Sequence, residues 1–216
     1  MATCGLPRTS HPGKAATWSS YSKMSSTVRY TSFSMGLLRY WVNCGSANPG
    51  IDNGFSMSIG TGIGGGLVVD GRVLHGAHGL SGMATSGLLR ESAGLESIAS
   101  GPAVAAASGV ASGSEAVQQC RRRDARAVKA FASASQALYE AVATVTATVD
   151  VTTVIVAGGF GAAGFDLLFP ERAIPAKYRW YPLVHDDVEV IPAVTGELAP
   201  LLGAVKYAIL QECSKG

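Results

Sequence analysis

Three small-residue stretches in this chain have the composition to meet a ligand with backbone. The first is Ser58-Ile59-Gly60-Thr61-Gly62-Ile63-Gly64-Gly65-Gly66-Leu67-Val68-Val69-Asp70-Gly71-Arg72. Apolar, β-favouring residues run up to Gly60 and resume at Leu67, which predicts two strands joined by a glycine-rich turn. Glycine takes positive φ without strain, and without a Cβ it lets N–H groups approach a ligand closely, an arrangement that suits phosphate oxygens. A hairpin with no ligand fits the local pattern equally well. A P-loop would need Lys and then Ser or Thr after its glycines, whereas Leu67-Val68-Val69 follows here. A dinucleotide fingerprint fails too, because its glycines open a helix and these lead into a strand.

The second stretch is Thr152-Thr153-Val154-Ile155-Val156-Ala157 followed by Gly158-Gly159-Phe160-Gly161, a buried strand turning into a helix. Such a junction offers free N–H donors, although close helix–strand packing is reason enough for its glycines. The third is Gly76-Ala77-His78-Gly79-Leu80-Ser81-Gly82, a loop of small residues that lets a substrate approach the backbone.

The elements that must position these stretches are readable in outline. Strands are expected near 54–60, 65–69 and 72–76, an antiparallel meander with turns at 61–64 and 70–71. A helix is expected from about Leu95 to Ala107, starting later if Ser100 caps it and Pro102 sits in its first turn. After a break at 109–113, Ser114 and Glu115 start another. Asp124 to about Val149 is the longest helical pattern, with Val128, Phe131, Ala132, Ser135, Leu138, Val142 and Val145 as its apolar stripe. The strand at 152–157 leads into a helix through about Phe169, residues 170–186 are irregular, and Val188–Ile191 is the last strand. A helix from about Glu197 to Gln211 closes the chain. Three strands followed by alternating helices and strands argue for an α/β domain with a mixed sheet flanked by helices.

With 216 residues and 47% hydrophobic content, the chain is long and apolar enough to bury a real core. No run approaches the roughly eighteen uninterrupted apolar residues of a membrane span, and no apolar block near the N-terminus resembles a secretory signal. Residues 1–51 hold five Lys/Arg and no Asp or Glu, but the cations are scattered, which argues against a nucleic-acid arm. Those residues are rich in Ser and Thr and short of hydrophobic periodicity, so 1–44 read as poorly ordered. Cys4, Cys44, Cys120 and Cys213 lie far apart, giving neither a zinc knuckle nor a disulfide framework; reduced thiols in a cytoplasmic protein are the expectation.

Taken together, Ser58–Gly66, Asp70-Gly71, Gly76–Gly82, Leu95-Glu96-Ser97-Ile98-Ala99-Ser100-Gly101-Pro102, Val156-Ala157-Gly158-Gly159 and Gly196–Ala204 resemble the ROK family (repressor, open reading frame, kinase) of bacterial sugar kinases and sugar-responsive repressors. The pieces fall in family order across about 45–211, so that residues 45–216 resemble the family's C-terminal lobe. The resemblance implies a ribonuclease-H-like fold of the actin/hexokinase type, in which ATP, with Mg²⁺, meets a sugar in a cleft between two lobes. It implies that Gly60, Thr61 and Gly62 contact the nucleotide phosphates, that Gly158 and Gly159 lie against the adenosine, and that Gly79 and Glu96 belong to the sugar site. A carboxylate suits the last role because it only accepts hydrogen bonds when ionised; a solvent-facing helix glutamate is the plainer alternative.

The departures from the family are equally specific. Its general-base Asp stands in an Asn-Asp pair about twenty-six residues before the Gly-Thr-Gly, a slot that falls near Ser32-Phe33-Ser34 here. Loss of such a base removes about 10² to 10⁴ in rate. The Asp-x-Gly-x-Thr phosphate loop of the first lobe is missing. Gly82-Met83-Ala84-Thr85-Ser86 stands where the family has Gly-Glu-x-Gly-His, and no cysteine cluster follows, so no zinc is expected. Abrupt changes near residue 44 and at 83–93 are what frame changes or truncation of a kinase gene produce. The expectation is therefore a kinase that phosphorylates a hexose or N-acylhexosamine hydroxyl, impaired in this chain and without an assignable catalytic residue. A homodimer is compatible with it. The alternatives are a non-catalytic sugar-responsive regulator or binding module, and an inactive fragment.

Overall fold

The computed structural model describes residues 51–77, 81–82 and 94–194. The expectations for 1–44, for Gly79, for 83–93 and for the closing helix at 197–211 lie outside the described residues.

Strands β1 (Gly54–Ile59), β2 (Ile63–Val69) and β3 (Arg72–Val73) form the antiparallel meander. The β2–β3 turn has positive φ at both Asp70 and Gly71, 51° and 69°, which matches the right-handed twist of the strands it joins. It is tied back to the start of β1: Gly71 N–H donates to the Asp52 carbonyl (2.9 Å) and Asp70 N–H to Asn53 Oδ1 (3.0 Å).

The first glycine-rich turn is shorter than expected. β2 begins at Ile63, so Gly64, Gly65 and Gly66 are strand residues paired with Ser58, Met57 and Ser56. Gly65 serves packing: a Cβ there would run into the Gly82 carbonyl and the Phe55 ring. β3 is likewise shorter than the expected 72–76.

Helices follow in series: α1 (Glu96–Ala99), α2 (Gly101–Ser108), α3 (Gly113–Arg121) and the 25-residue α4 (Ala125–Val149). Ser100 separates α1 from α2 with extended backbone, and its side chain caps α2 by accepting from Ala103 N–H, with Pro102 in the first turn. The cap of α3 is Ser112, two residues earlier than expected. Its Oγ accepts from Glu115 N–H at 3.2 Å, and Glu115 Oε2 accepts from Ala111 N–H at 3.1 Å. The side chain of Asp124 caps α4 through Arg126 and Ala127 N–H, both at 3.0 Å.

β4 (Thr153–Ala157) then pairs parallel to β1, and after the short helices α5 (Gly159–Ala163), α6 (Phe165–Leu168) and α7 (Pro182–His185), β5 (Glu189–Pro192) pairs parallel to β4. The sheet order is β3-β2-β1-β4-β5, a mixed sheet. Period-two alternation sorts its residues by face. Phe55, Met57, Ile59, Leu67, Val154, Val156 and Val190 join the large core with α1 to α6, while Val68 and Ile155 face the other way beside Ile51, Val73 and Ile191.

The apolar stripe read for α4 needs correction. Val128 is exposed, as is Ala132, whereas Ala127, Ala134, Ala141 and Ala143 are fully buried beside Phe131, Leu138 and Val142. Small side chains let neighbouring helices approach α4 closely on a wide arc, and they carry too little apolar weight to mark that arc in a hydrophobic period.

Candidate functional site

β1 and β4 run side by side and end together, with Ser58 opposite Ala157 as their last pair. This places the Gly60-Thr61-Gly62 turn beside Gly158-Gly159 at the carboxyl ends of two parallel strands, the side of an open α/β sheet where ligands bind. Two stretches a hundred residues apart in the chain thus form one edge.

The turn is fixed from three directions. Gly60 N–H donates to the Gly62 carbonyl (2.9 Å), and the Gly60 carbonyl accepts from Gly101 N–H (2.9 Å) at the start of α2. Ile63 N–H donates to Glu96 Oε2 (3.0 Å) at the start of α1. Among the described residues, neither Thr61 N–H nor Gly62 N–H has a protein acceptor, so both donors of the turn remain available to a ligand.

The glycines divide into two kinds. Gly158 has φ 88°, and a Cβ there would meet the Ile59 backbone, so its identity is demanded by the fold. A Cβ on Gly62 would lie 2.6 Å from Glu96 Oε2, the flexible end of a side chain that would have to shift. Gly60 and Gly159 are different: nothing lies within 4 Å of where their Cβ would stand. Both leave room at the edge where the strands end.

Beside the turn is an open cavity of about 550 Å³ lined by Thr61, Gly94, Glu96, Ser97, Ser100, Pro102 and Ala103. Glu96 is exposed to it. Phe160, the second residue of α5, packs against the helix starts: a Cβ on Gly113 would come 2.8 Å from its ring and one on Gly101 3.3 Å. These two glycines let α2, α3 and α5 approach closely. Ser97, Ser100, Pro102 and Ala103 are not among the sequence-expected site residues; the first three lie in the family-like piece Leu95–Pro102, and Ala103 follows directly after it.

Of the sequence-expected site residues, the structure brings Gly60, Thr61, Gly62, Gly158, Gly159 and Glu96 to one end of the sheet. Gly79 lies outside the described residues. No group of three or more His, Cys, Asp or Glu side chains suited to a metal occurs among the described residues.

The sequence matches the ROK family over residues 40–211. The chain belongs to the ROK family. Its fold agrees. A ROK hexokinase from Thermus thermophilus superposes with a TM-score of 0.66 at 24% identity, covering 84% of this chain and 64% of that one. A ROK glucokinase from Streptomyces griseus, solved with glucose and AMPPNP, gives 0.64 at 21% identity and covers 80% and 66%. A ROK transcriptional regulator, a homolog of the E. coli MLC protein, gives 0.67 at 22% identity, covering 78% and 49%. The chain thus spans less than two thirds of the Thermus hexokinase. No curated protein sequence matches it significantly. The mixed sheet with flanking helices is the actin/hexokinase-type α/β fold.

Proposed function

We propose that this ROK chain is the nucleotide-binding lobe of a sugar kinase, one that takes ATP at the Gly60–Gly62 turn and Gly158-Gly159 and a hexose or N-acylhexosamine at Glu96. The observation that carries this reading is the pair of free N–H groups at Thr61 and Gly62 beside two glycines with open space at their missing Cβ positions. Packing gives no reason for Gly60 or Gly159 to lack a side chain, and a phosphate or ribose brought against the backbone does. The residues present therefore fit a nucleotide.

In the proposed reaction ATP supplies the γ-phosphoryl group. Thr61 and Gly62 N–H orient the phosphate oxygens and offset their charge, the positioning and electrostatic part of phosphoryl transfer. Mg²⁺ enters with the nucleotide, on the phosphates. Glu96 accepts from a sugar hydroxyl through the carboxylate oxygen that Ile63 does not use. Gly79, in the small-residue loop, is assigned to the sugar site on the family resemblance alone.

No residue of this chain is assigned as general base. Residues 1–51 contain no Asp or Glu, and Asp52 stands in the turn before β1, bonded through its carbonyl to Gly71. Turnover by this chain alone is therefore expected about 10² to 10⁴ below that of a complete kinase. We place the protein in the cytoplasm, where a free thiol such as Cys120 stays reduced.

Titration of the full chain with Mg·AMPPNP, followed by ATP turnover with glucose and N-acetylmannosamine, tests the reading. Saturable nucleotide binding with slow or undetectable turnover is the expected result. Absence of nucleotide binding at millimolar concentration overturns it. The fold shared with a ROK regulator supports a second reading, a non-catalytic sugar-responsive module. Sugar binding without nucleotide binding would favour that one, and an electrophoretic mobility assay at low salt shows whether DNA is part of it.

A further inference from the structure

We infer that Glu96 is a positioning residue for the Gly60–Gly62 turn, locking the nucleotide half of the site in place whether or not a sugar is present. The inference uses the proposed nucleotide site only for the second of its two readouts.

The geometry is that of a brace. Glu96 is the first residue of α1 and Ile63 the first of β2, 33 residues apart, yet Ile63 N–H donates to Glu96 Oε2 at 3.0 Å. This N–H sits at the residue where the turn ends. Two of the three turn residues are glycine, so the one bond inside the turn, from Gly60 N–H to the Gly62 carbonyl, leaves it little stiffness of its own. Two further ties come from the α1–α2 junction, through Glu96 at one end of the turn and Gly101 N–H to the Gly60 carbonyl at the other. Of these two ties only the Glu96 bond is made by a side chain and carries a charge, which makes it the stronger one.

Gly62 lies directly under the carboxylate. A methyl group at its Cβ would stand 2.6 Å from Glu96 Oε2, and the flexible end of the glutamate would have to move off Ile63. The lack of a side chain at Gly62, where φ is not positive, is explained by this contact.

The brace also joins the two proposed subsites. With Oε2 held by the turn, Oε1 has no protein partner among the described residues, and Glu96 lines the cavity. A hydroxyl bound there would touch the same carboxylate that holds the turn.

The test compares Glu96→Ala, Glu96→Gln and Gly62→Ala with the native chain, all without sugar. The first readout is hydrogen exchange of the Ile63 amide. Exchange about tenfold faster or more in Glu96→Ala and Gly62→Ala, and close to native in Glu96→Gln, whose amide oxygen still accepts, is expected. Unchanged exchange in Glu96→Ala overturns the inference, and so does failure of Gln to restore protection. The second readout is Mg·AMPPNP affinity, expected to fall about five- to twentyfold in the two disruptive variants and to stay within about twofold in Glu96→Gln. If Glu96→Ala exposes Ile63 but binds AMPPNP as tightly as the native chain, the positioning role is overturned. If Ile63 responds and no variant, nor the native chain, binds AMPPNP, the brace stands and the kinase reading falls.

Discussion

The carbonyl oxygen of Ile59 occupies the space in which a side chain on Gly158 would have to begin. The last turn of backbone in β1 and the first residue after β4 are pressed together, and φ 88° at Gly158 is what lets the chain leave β4 there and enter α5. One residue on, the demand vanishes: Gly159 has open space around its missing Cβ.

These neighbours should therefore respond oppositely to alanine. Gly158→Ala meets both a steric clash and a disfavoured backbone region and should lose about 2–4 kcal/mol of stability. Gly159→Ala, at the first position of α5, should fold as well as the native chain or gain up to about 1 kcal/mol by restricting the unfolded state. If the open space belongs to a nucleotide, Gly159→Ala should nevertheless weaken Mg·AMPPNP binding by tenfold or more. Urea denaturation and nucleotide titration of the same two variants check both halves.

A second prediction concerns pH. Tyr139 is buried among Phe169 and Tyr178, and burial pushes its phenol up to about 12, the backbone N–H that Glu171 donates to its oxygen opposing the rise in part. The folded state thus holds the proton more tightly than the unfolded one, whose tyrosines titrate near 10. The stabilisation is fully present below about pH 10 and is lost as the pH rises through about 12. Tyr139 Oη accepts from Glu171 N–H at 3.0 Å and donates to the Glu171 carbonyl. Tyr139→Phe should accordingly cost about 1–2 kcal/mol at neutral pH, by stranding both Glu171 backbone groups. Its loss of stability between about pH 10 and 12 should be shallower than the native chain's, as read from urea midpoints across that range.

Much of this architecture was legible before any coordinates. The meander, the Asp70-Gly71 turn, the Ser100 cap and the strand–glycine–helix junction at 157–159 all carry local signals strong enough to stand alone: alternation, a positive-φ pair, a side-chain oxygen before a proline. What was misread depends on partners distant in sequence. Ile63 and Gly64 read as turn residues because glycine disfavours strands, yet both belong to β2, whose Gly65 must be small because Phe55 and Gly82 lie against it. On α4 the stripe went to Val128, a larger residue than its neighbour Ala127, and burial went to Ala127, because what faces that helix is other helices at close range. For the site, the turn and the Gly158-Gly159 junction were read separately and only the β1–β4 pairing shows that they are adjacent. The Ile63–Glu96 bond had no local signal at all.

Helix α4 supplies a third prediction. It crosses the molecule and packs against every other helix from α1 to α3 as well as α6 and α7, so its start must be held. Asp124 Oδ1 accepts from both Arg126 and Ala127 N–H, and the carboxylate sits favourably at the positive end of a long helix. Asp124→Ala should lose about 1–2 kcal/mol, with Asp124→Asn losing less because the amide oxygen still caps. Thermal unfolding followed by circular dichroism, at low and high salt, separates the two contributions, since only the charge–dipole part is screened.

The last prediction lies in the segment between α6 and β5, which the sequence showed only as irregular. His185 is fully buried at the end of α7. Its Nδ1 accepts from Tyr181 N–H at 3.3 Å, which leaves Nε2 as the donor to the Ala143 carbonyl on α4, 3.0 Å away. One neutral tautomer thus ties α7 to the central helix, with Trp180 edge-on against the ring at 4.9 Å. His185→Ala removes a packed ring and two hydrogen bonds and should cost about 2–4 kcal/mol. Two residues earlier Leu183 is 91% exposed, and Leu183→Ser should stay within about 0.5 kcal/mol of the native chain. Measured side by side in urea, the pair distinguishes a segment anchored through His185 from one that merely lies on the surface. In the latter case both substitutions would be silent, and α7 would have no energetic tie to the helix that carries the rest of the core.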